Sequence, residues 1–342
     1  EAEYYKSPAV VADGIIYTDN NASAVYHFAH DSVTELISSR GCGQYLAIAP
    51  DKQSIGLKLI DADGDQTPVV LDIRTGEIRK LHPSAGQIGQ VSFTRDGRAA
   101  YTVAEKLIVS DGRTVDLGYY ANIAPISPDG RQSCFNDADD QLWIITIATG
   151  EKIRISDEKT GYYYPKWSSD GNKILYSAFN GDIKVYELAS ARTYTIPSGD
   201  NPTWSDDSRN ILFSRKEIVD NVLIDSDVYL ADYTGSSISN LTQTPDVIEM
   251  DASFGNSVNE ILYHTYQNRM IVRTSLNSSK SGLESKDTKV IRPERLNVTY
   301  FPSIETVAEG EIMNVPYLHQ VYDVPNWFWG YYACAPTTAA ML

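Results

Sequence analysis

The chain has 342 residues, 42% hydrophobic and 22% charged, which is apolar content enough for one large core or two ordinary ones. Its 29 basic and 45 acidic residues give a formal charge of −16, and this argues against a nucleic-acid partner, since phosphate binding needs clustered Lys and Arg. No apolar run reaches the roughly 18 residues of a transmembrane helix, and the three cysteines (Cys42, Cys134, Cys334) are spaced neither as a disulfide framework nor as a metal knuckle.

The chain begins Glu1-Ala2-Glu3 rather than Met, which reads as a processed N-terminus and sets the expectation of an extracellular or cell-surface location. From there a short frame recurs. A lead residue is followed by a turn pair three and four positions on, then by apolar residues seven and nine positions on. In chain order the leads are Val10 (with Asp13, Gly14 and Tyr17), Ser39 (with Gly43, Leu46 and Ile48) and Phe93 (with Asp96 and Gly97). Ile126 follows with Asp129, Gly130 and Phe135, and Trp167 with Asp170, Gly171, Ile174 and Tyr176. The last two are Trp204 (Asp207, Ser208, Ile211, Phe213) and Phe254 (Ile261, Tyr263).

Each position has a physical reason. Asp-Gly tolerates the positive φ of a tight hairpin turn, so it joins an innermost strand to the next. Residues two apart share one face of a strand, and the lead aromatic can wedge between neighbouring units. Further β-rich stretches follow each pair, such as Asp182–Tyr186 and Arg192–Ile196, so each unit holds four strands. Helical periodicity with caps is absent before residue 330. Seven such units predict an all-β chain, a seven-bladed β-propeller over residues 1–292, with residues 293–342 as a linker and a separate C-terminal fragment. The wide gap from Ser39 to Phe93 predicts an insertion in blade 2 around Asp61–Asp65.

The repeat carried by Trp167–Tyr176 and Trp204–Phe213 resembles those of TolB-like and WD-type propellers of bacterial proteins. That resemblance implies an architecture and leaves function open, because propellers host binding, scaffolding and catalysis alike.

Within the propeller, Asp61, Asp63, Asp65 and Asp72 partly imitate a calcium loop, although Gly64 stands at the fourth position and Gln66 at the sixth. A plain acidic hairpin accounts for them equally well. Asp137, Asp139 and Asp140 read as a solvated turn before the strand Leu142–Ile147. His27, His30, His82, His264 and His319 lack zinc spacing and read as surface or interblade residues.

The blade frame stops near residue 276. Residues 278–289 are rich in Ser, Lys and Gly, and Val290–Ile304 retains strand character. Cys334 then opens an Ala-rich segment with Pro336 in its first turn, and a thiol at a helix N-terminus is a stronger nucleophile. A buried structural cysteine is the competing reading. The elements Val315–Gln320 and Ala333–Met341 resemble the opening of papain-like cysteine peptidases of the bacteriocin-processing (C39-like) group. The resemblance implies Cys334 as nucleophile and Gln320 as oxyanion donor, with Ala335 departing from the group's usual glycine. No histidine follows Cys334, so the fragment itself is expected to be inactive as a peptidase.

Three functions stay open at this stage. One is a propeller recognition module of a cysteine peptidase-like protein acting on a peptide or protein substrate. Another is a non-enzymatic extracellular binding propeller for a peptide, glycan or cell-wall ligand. The third is a glycan-acting propeller enzyme. No organic cofactor is implied by any of them.

Overall fold

The computed structural model describes residues 5–245, 247–276, 289–291 and 298–300, and among these the chain is all strands and turns with no helix. Seven antiparallel sheets follow one another along the chain as the blades of a β-propeller. Blade 1 comprises Tyr5–Val10, Ile15–Asp19, Ala24–Ala29 and Ser32–Ser38, and Val298–Tyr300 stands beside the last of these in the sheet order. Blades 5 to 7 begin with Tyr162–Trp167, Asp200–Trp204 and Glu249–Phe254, so each ends its first strand on the lead residue read from the sequence.

Blade 2 corrects the sequence reading. Its first two strands are Ala47–Ile48 and Ser54–Ile60, so the lead is Ile48 and not Ser39. From Ile48 the frame is regular: Asp51 and Lys52 form the turn, and Ile55 and Leu57 are buried. The frame was hidden because Lys52, not glycine, takes the positive φ of 58°. With the lead moved, no insertion is needed, and Asp61–Asp65 is the ordinary hairpin between Ser54–Ile60 and Gln66–Asp72.

The second strand of each blade is buried on both faces. Residues at the seventh position (Tyr17, Ile55, Ala100, Ser133, Ile174, Ile211, Ile261) are all buried, and so are their successors Leu175, Leu212 and Leu262. At that eighth position blade 2 has Gly56, where an added Cβ would lie 2.5 Å from Val91 Cγ1. The close approach of blade 3 therefore excludes a side chain there.

Entry into this strand is held by a side-chain latch in blades 3 to 6. Ser168 Oγ donates to Asp170 Oδ1 (2.6 Å) and accepts the backbone N–H of Lys173 (3.0 Å), while Asp170 Oδ1 accepts the N–H of Asn172 (3.0 Å). Ser205 with Asp207 and Ser127 with Asp129 repeat all three bonds, and Thr94 donates to Asp96 in the same place. Burial alone would raise the Asp170 carboxyl, but the Ser168, Asn172 and Lys173 hydrogen bonds outweigh it and hold the group at about 2.

The chain divides into two compact units, one of residues 1–20, 26–34 and 166–299, the other of 21–25, 35–165 and 300–342. In the first, Val10, Tyr17 and Phe28 of blade 1 share a core with Leu262, Ile271 and Ile291 of blade 7, which joins the first blade to the last. Leu175 and Val185 pack against Ile211 and Phe213 in the same way. In the second unit, Leu107 and Val109 of blade 3 meet Phe135 and Ile145 of blade 4. Each such side chain contributes about 1.5–3 kcal/mol by leaving water.

Replacing Ser168 with Ala strands the buried Lys173 N–H. We expect a loss of about 1–3 kcal/mol, read from the urea midpoint with an unchanged slope. An unaltered midpoint would show that the latch is dispensable.

Candidate functional site

The innermost strands share a backbone feature that residue types do not announce. Three positions before the lead, Ser7, Tyr45, Tyr164, Asn201 and Asp251 all have φ between 48° and 56°. In blades 1, 6 and 7 the pairing register shifts at this point, as a β-bulge requires. Left-handed non-glycine residues are strained, and their recurrence at one structural position points to a constraint other than folding economy.

In the first unit these bulges converge on Asp251. Asn201 Nδ2 donates to Asp251 Oδ1 (2.6 Å), and the backbone N–H of Ser7 donates to Oδ2 (3.2 Å). His264, 1% exposed, places Nδ1 3.5 Å from the same Oδ2. Ser253 Oγ donates to the Pro8 carbonyl (2.6 Å) and Thr203 Oγ1 to that of Ala252 (3.0 Å), which ties the inner strands of blades 1, 6 and 7 together.

Two lysines complete this cluster. Lys166 is half-buried, and its ammonium group donates to the Pro202 carbonyl (2.8 Å). Burial pushes its pKa down to about 8, against the opposing pull of Asp251 and Asp200. Burial likewise lowers Lys6, opposed by Asp251 and Asp19. His264 is lowered by burial, with Lys6 adding to that effect and Asp251 working against it. Asp200 is itself paired with Lys216. The cluster thus holds cationic groups in surroundings that disfavour their charge, an arrangement an incoming anion would relieve.

The second unit has its own inner-strand feature. The Tyr45 and Tyr164 hydroxyls are hydrogen-bonded and their rings lie 5.0 Å apart. Nearby in the fold, buried Lys58 donates to the Ile88 carbonyl (3.1 Å) and to Asn122 Oδ1 (3.0 Å), and Tyr120 also reaches Ile88 (3.0 Å). Gln90, 6% exposed, has neither amide atom hydrogen-bonded.

The candidates named from sequence lie elsewhere. Asp61 turns its carboxylate onto its own hairpin, accepting the N–H groups of Asp63 (3.1 Å) and Asp65 (2.9 Å). Asp72 caps the next turn through Thr75, at the far end of a seven-residue strand, roughly 20 Å away at strand rise. Among the described residues no three His, Cys, Asp or Glu side chains gather as metal ligands. Asp137 is not simply solvated: it accepts the Trp143 indole N–H (2.7 Å), and burial with Asp137 and Asp139 alongside raises Asp140 to about 7. Cys42 and Cys134 are buried and form no disulfide among the described residues, and Cys42 Sγ donates to the Ser23 carbonyl (3.4 Å). Cys334 and Gln320 lie outside the described residues.

No protein-family model matches the chain, and no curated protein matches it. Solved structures do. The β-propeller domain of Myceliophteria thermophila Cps50 (Swd1) is similar over 75% of this chain and 88% of that one, with a TM-score of 0.52 at 13% identity. Kuenenia stuttgartiensis hydrazine synthase is similar over 70% of this chain and 79% of that one, with a TM-score of 0.53 at 13% identity. At such identity the likeness is one of fold. It agrees with the seven-bladed all-β architecture.

Lys166 makes a testable mark on stability. A lysine with a lowered folded pKa binds fewer protons than the unfolded chain between about 8 and 10.5, so its burden is full below that window and relieved as pH rises through it. Lys166→Met is therefore expected to gain on the wild type at neutral pH, and chemical denaturation should show that gain shrinking by pH 10. A gap independent of pH would mean that Lys166 titrates normally.

Proposed function

We propose that this chain is a recognition module whose inner-strand cluster of Lys6, Lys166, Asn201, Asp251 and His264 binds a carboxylate-bearing peptide segment. The observation that carries this reading is the gathering of Lys6 and Lys166, both in the field of Asp251, at the strained inner strands of blades 1, 5 and 7. Burial holds these lysines against their charge by more than Asp251, Asp200 and Asp19 restore, and a ligand carboxylate would add a further counterion. Asp251 orders the cluster through Ser7 and Asn201 and keeps it from being purely cationic. Propeller architecture suits recognition and scaffolding, and its loops and inner strands carry the specificity.

In this reading the module stands ahead of a cysteine peptidase-like segment in an exported, cell-surface protein. Support for that context comes from the sequence elements around Gln320 and Cys334, with Cys334 as nucleophile and Gln320 as oxyanion donor. The propeller would then present a peptide substrate to the thiol. A glycan or cell-wall ligand bearing a carboxylate would use the same lysines.

Two measurements test this. On an array of acidic, neutral and basic peptides the full chain should favour acidic ones, and binding should weaken as pH rises through about 8. Lys166→Met should lose about tenfold or more in affinity, the scale of a desolvated charge contact; equal binding by the variant would remove the cluster from the function. Separately, Cys334 should react with iodoacetamide near neutral pH faster than a free cysteine peptide. A rate at or below that of the peptide would rule out an activated nucleophile.

A further inference from the structure

Blade 6 carries a feature that recognition at the inner strands does not use. Its second and third strands, Asn210–Val219 and Val222–Asp232, run to ten and eleven residues, whereas the corresponding strands of the other blades have four to seven. The first strand of the blade pairs no further than Ser214 and the fourth only with Tyr229–Ala231. Beyond those points Arg215–Val219 and Val222–Asp225 run on as a two-stranded ribbon closed by Asp220 and Asn221, both at positive φ (50° and 62°). A tight turn of this kind matches the strand twist and makes the ribbon a defined element.

The ribbon is apolar at its tip. Ile218 and Val222 are each 59% exposed, Val219 47% and Ile224 40%. A bulge between Glu217 and Ile218 makes Ile224 the extra residue and turns it outward. Four exposed branched side chains on one hairpin gain nothing for the blade, because a two-stranded ribbon is only marginally stable by itself.

Below the tip the charge is equally unusual. Glu217 and Asp225 are directly opposed across the two strands, and among the described residues neither has a cationic partner. Like charges at opposed positions destabilise a ribbon. Asp227, one step nearer the blade, is already bonded by Asn240 and Thr242. Val219 and Val222 share the face of Glu217 and Asp225, since paired positions alternate between faces. The outer edge of Arg215–Val219 continues the line of Asp200–Trp204 and has no strand beside it among the described residues.

From these observations we infer that the ribbon docks an extended segment of a partner protein, with a basic and an apolar residue two positions apart on one face and apolar residues on the other, added as a strand along the edge of Arg215–Val219. Main-chain hydrogen bonds would supply affinity. A partner cation would sit between Glu217 and Asp225, and partner aliphatic side chains would cover Val219, Val222 and Ile218. The surface adjoins the lysine cluster through the Lys216–Asp200 ion pair, and its occupant has the opposite charge.

Fluorescein-labelled peptides built on repeats of Lys-Val-Val-Val, Glu-Val-Val-Val or Lys-Ser-Ser-Ser (the Val–Lys, Val–Glu and Ser–Lys peptides) serve as probes for the full chain in anisotropy titrations. The Val–Lys peptide is expected to bind, more weakly at high salt, and the other two to bind poorly. Val219→Ser with Val222→Ser should reduce binding by about tenfold or more, as loss of a central apolar contact does. These exposed sites lie outside the blade core, so the melting temperature should not move. Glu217→Gln with Asp225→Asn should remove the salt dependence. Undiminished binding by either double variant, or equal binding of Val–Glu, would overturn the inference. So would concentration-dependent dimerisation abolished by Val222→Ser, which would make a second copy the occupant, or ribbon-dependent binding to phosphatidylcholine vesicles.

Discussion

The double-sided burial of each blade's second strand is the constraint from which the rest follows. A strand covered on both faces cannot use alternation to set its register, so the register must be fixed at its entrance. The Ser hydroxyl of the latch does this by donating to the Asp two residues on and accepting the N–H five residues on that opens the second strand. The same bonds satisfy buried polar groups that would otherwise cost about 1–3 kcal/mol each. Blade 7 solves the problem differently. There Gly255 replaces the hydroxyl residue, and Glu260 reaches back to the N–H of Asn256 (2.8 Å) while pairing with Arg273 (2.6 Å). The requirement is therefore for a satisfied turn, and the Ser-x-Asp spelling is one way to meet it.

Much of the fold was readable because this requirement leaves a spelling. The Asp-Gly pairs at Asp96, Asp129 and Asp170 mark turns whose φ only glycine adopts freely, and the buried positions follow at fixed spacing. Blade 2 was misread where the spelling failed: Lys52 accepts the left-handed conformation and Ala49 replaces the hydroxyl, so Ser39 looked equally eligible. The misplaced lead then created an apparent insertion, and the acidic hairpin at Asp61 filled it. One shift of frame removes both errors.

The inner-strand cluster was much less legible. Ser7, Tyr45, Tyr164, Asn201 and Asp251 share a backbone conformation but no chemistry, and only Asn and Asp are types that favour it. A weaker signal was available at the tenth position of the frame, just after the buried run. Asn20, Lys58, Asn136, Ser177, Ser214 and His264 are polar there, with Val103 the exception. A polar residue where an apolar strand would otherwise continue marks the end of the core and the start of the inner surface. His264 carries no flanking motif, and only its place in this column distinguishes it from His27 or His82.

Strain and charge at the inner strands have one physical explanation. A non-glycine left-handed residue costs about 1–3 kcal/mol, so five together approach the whole net stability of about 5–15 kcal/mol. They persist only because their surroundings over-determine them: Asp251 is held from blade 1 by Ser7 and from blade 6 by Asn201, and Tyr45 and Tyr164 hold each other through their hydroxyls. Lys166 adds a further unfavourable term by enclosing a cation, and the latched turns and double-sided strands supply the stability that tolerates it. A blade built only for stability would carry neither. The rigid outer part of the fold thus carries, at its inner edge, residues held in conformations that folding alone would avoid.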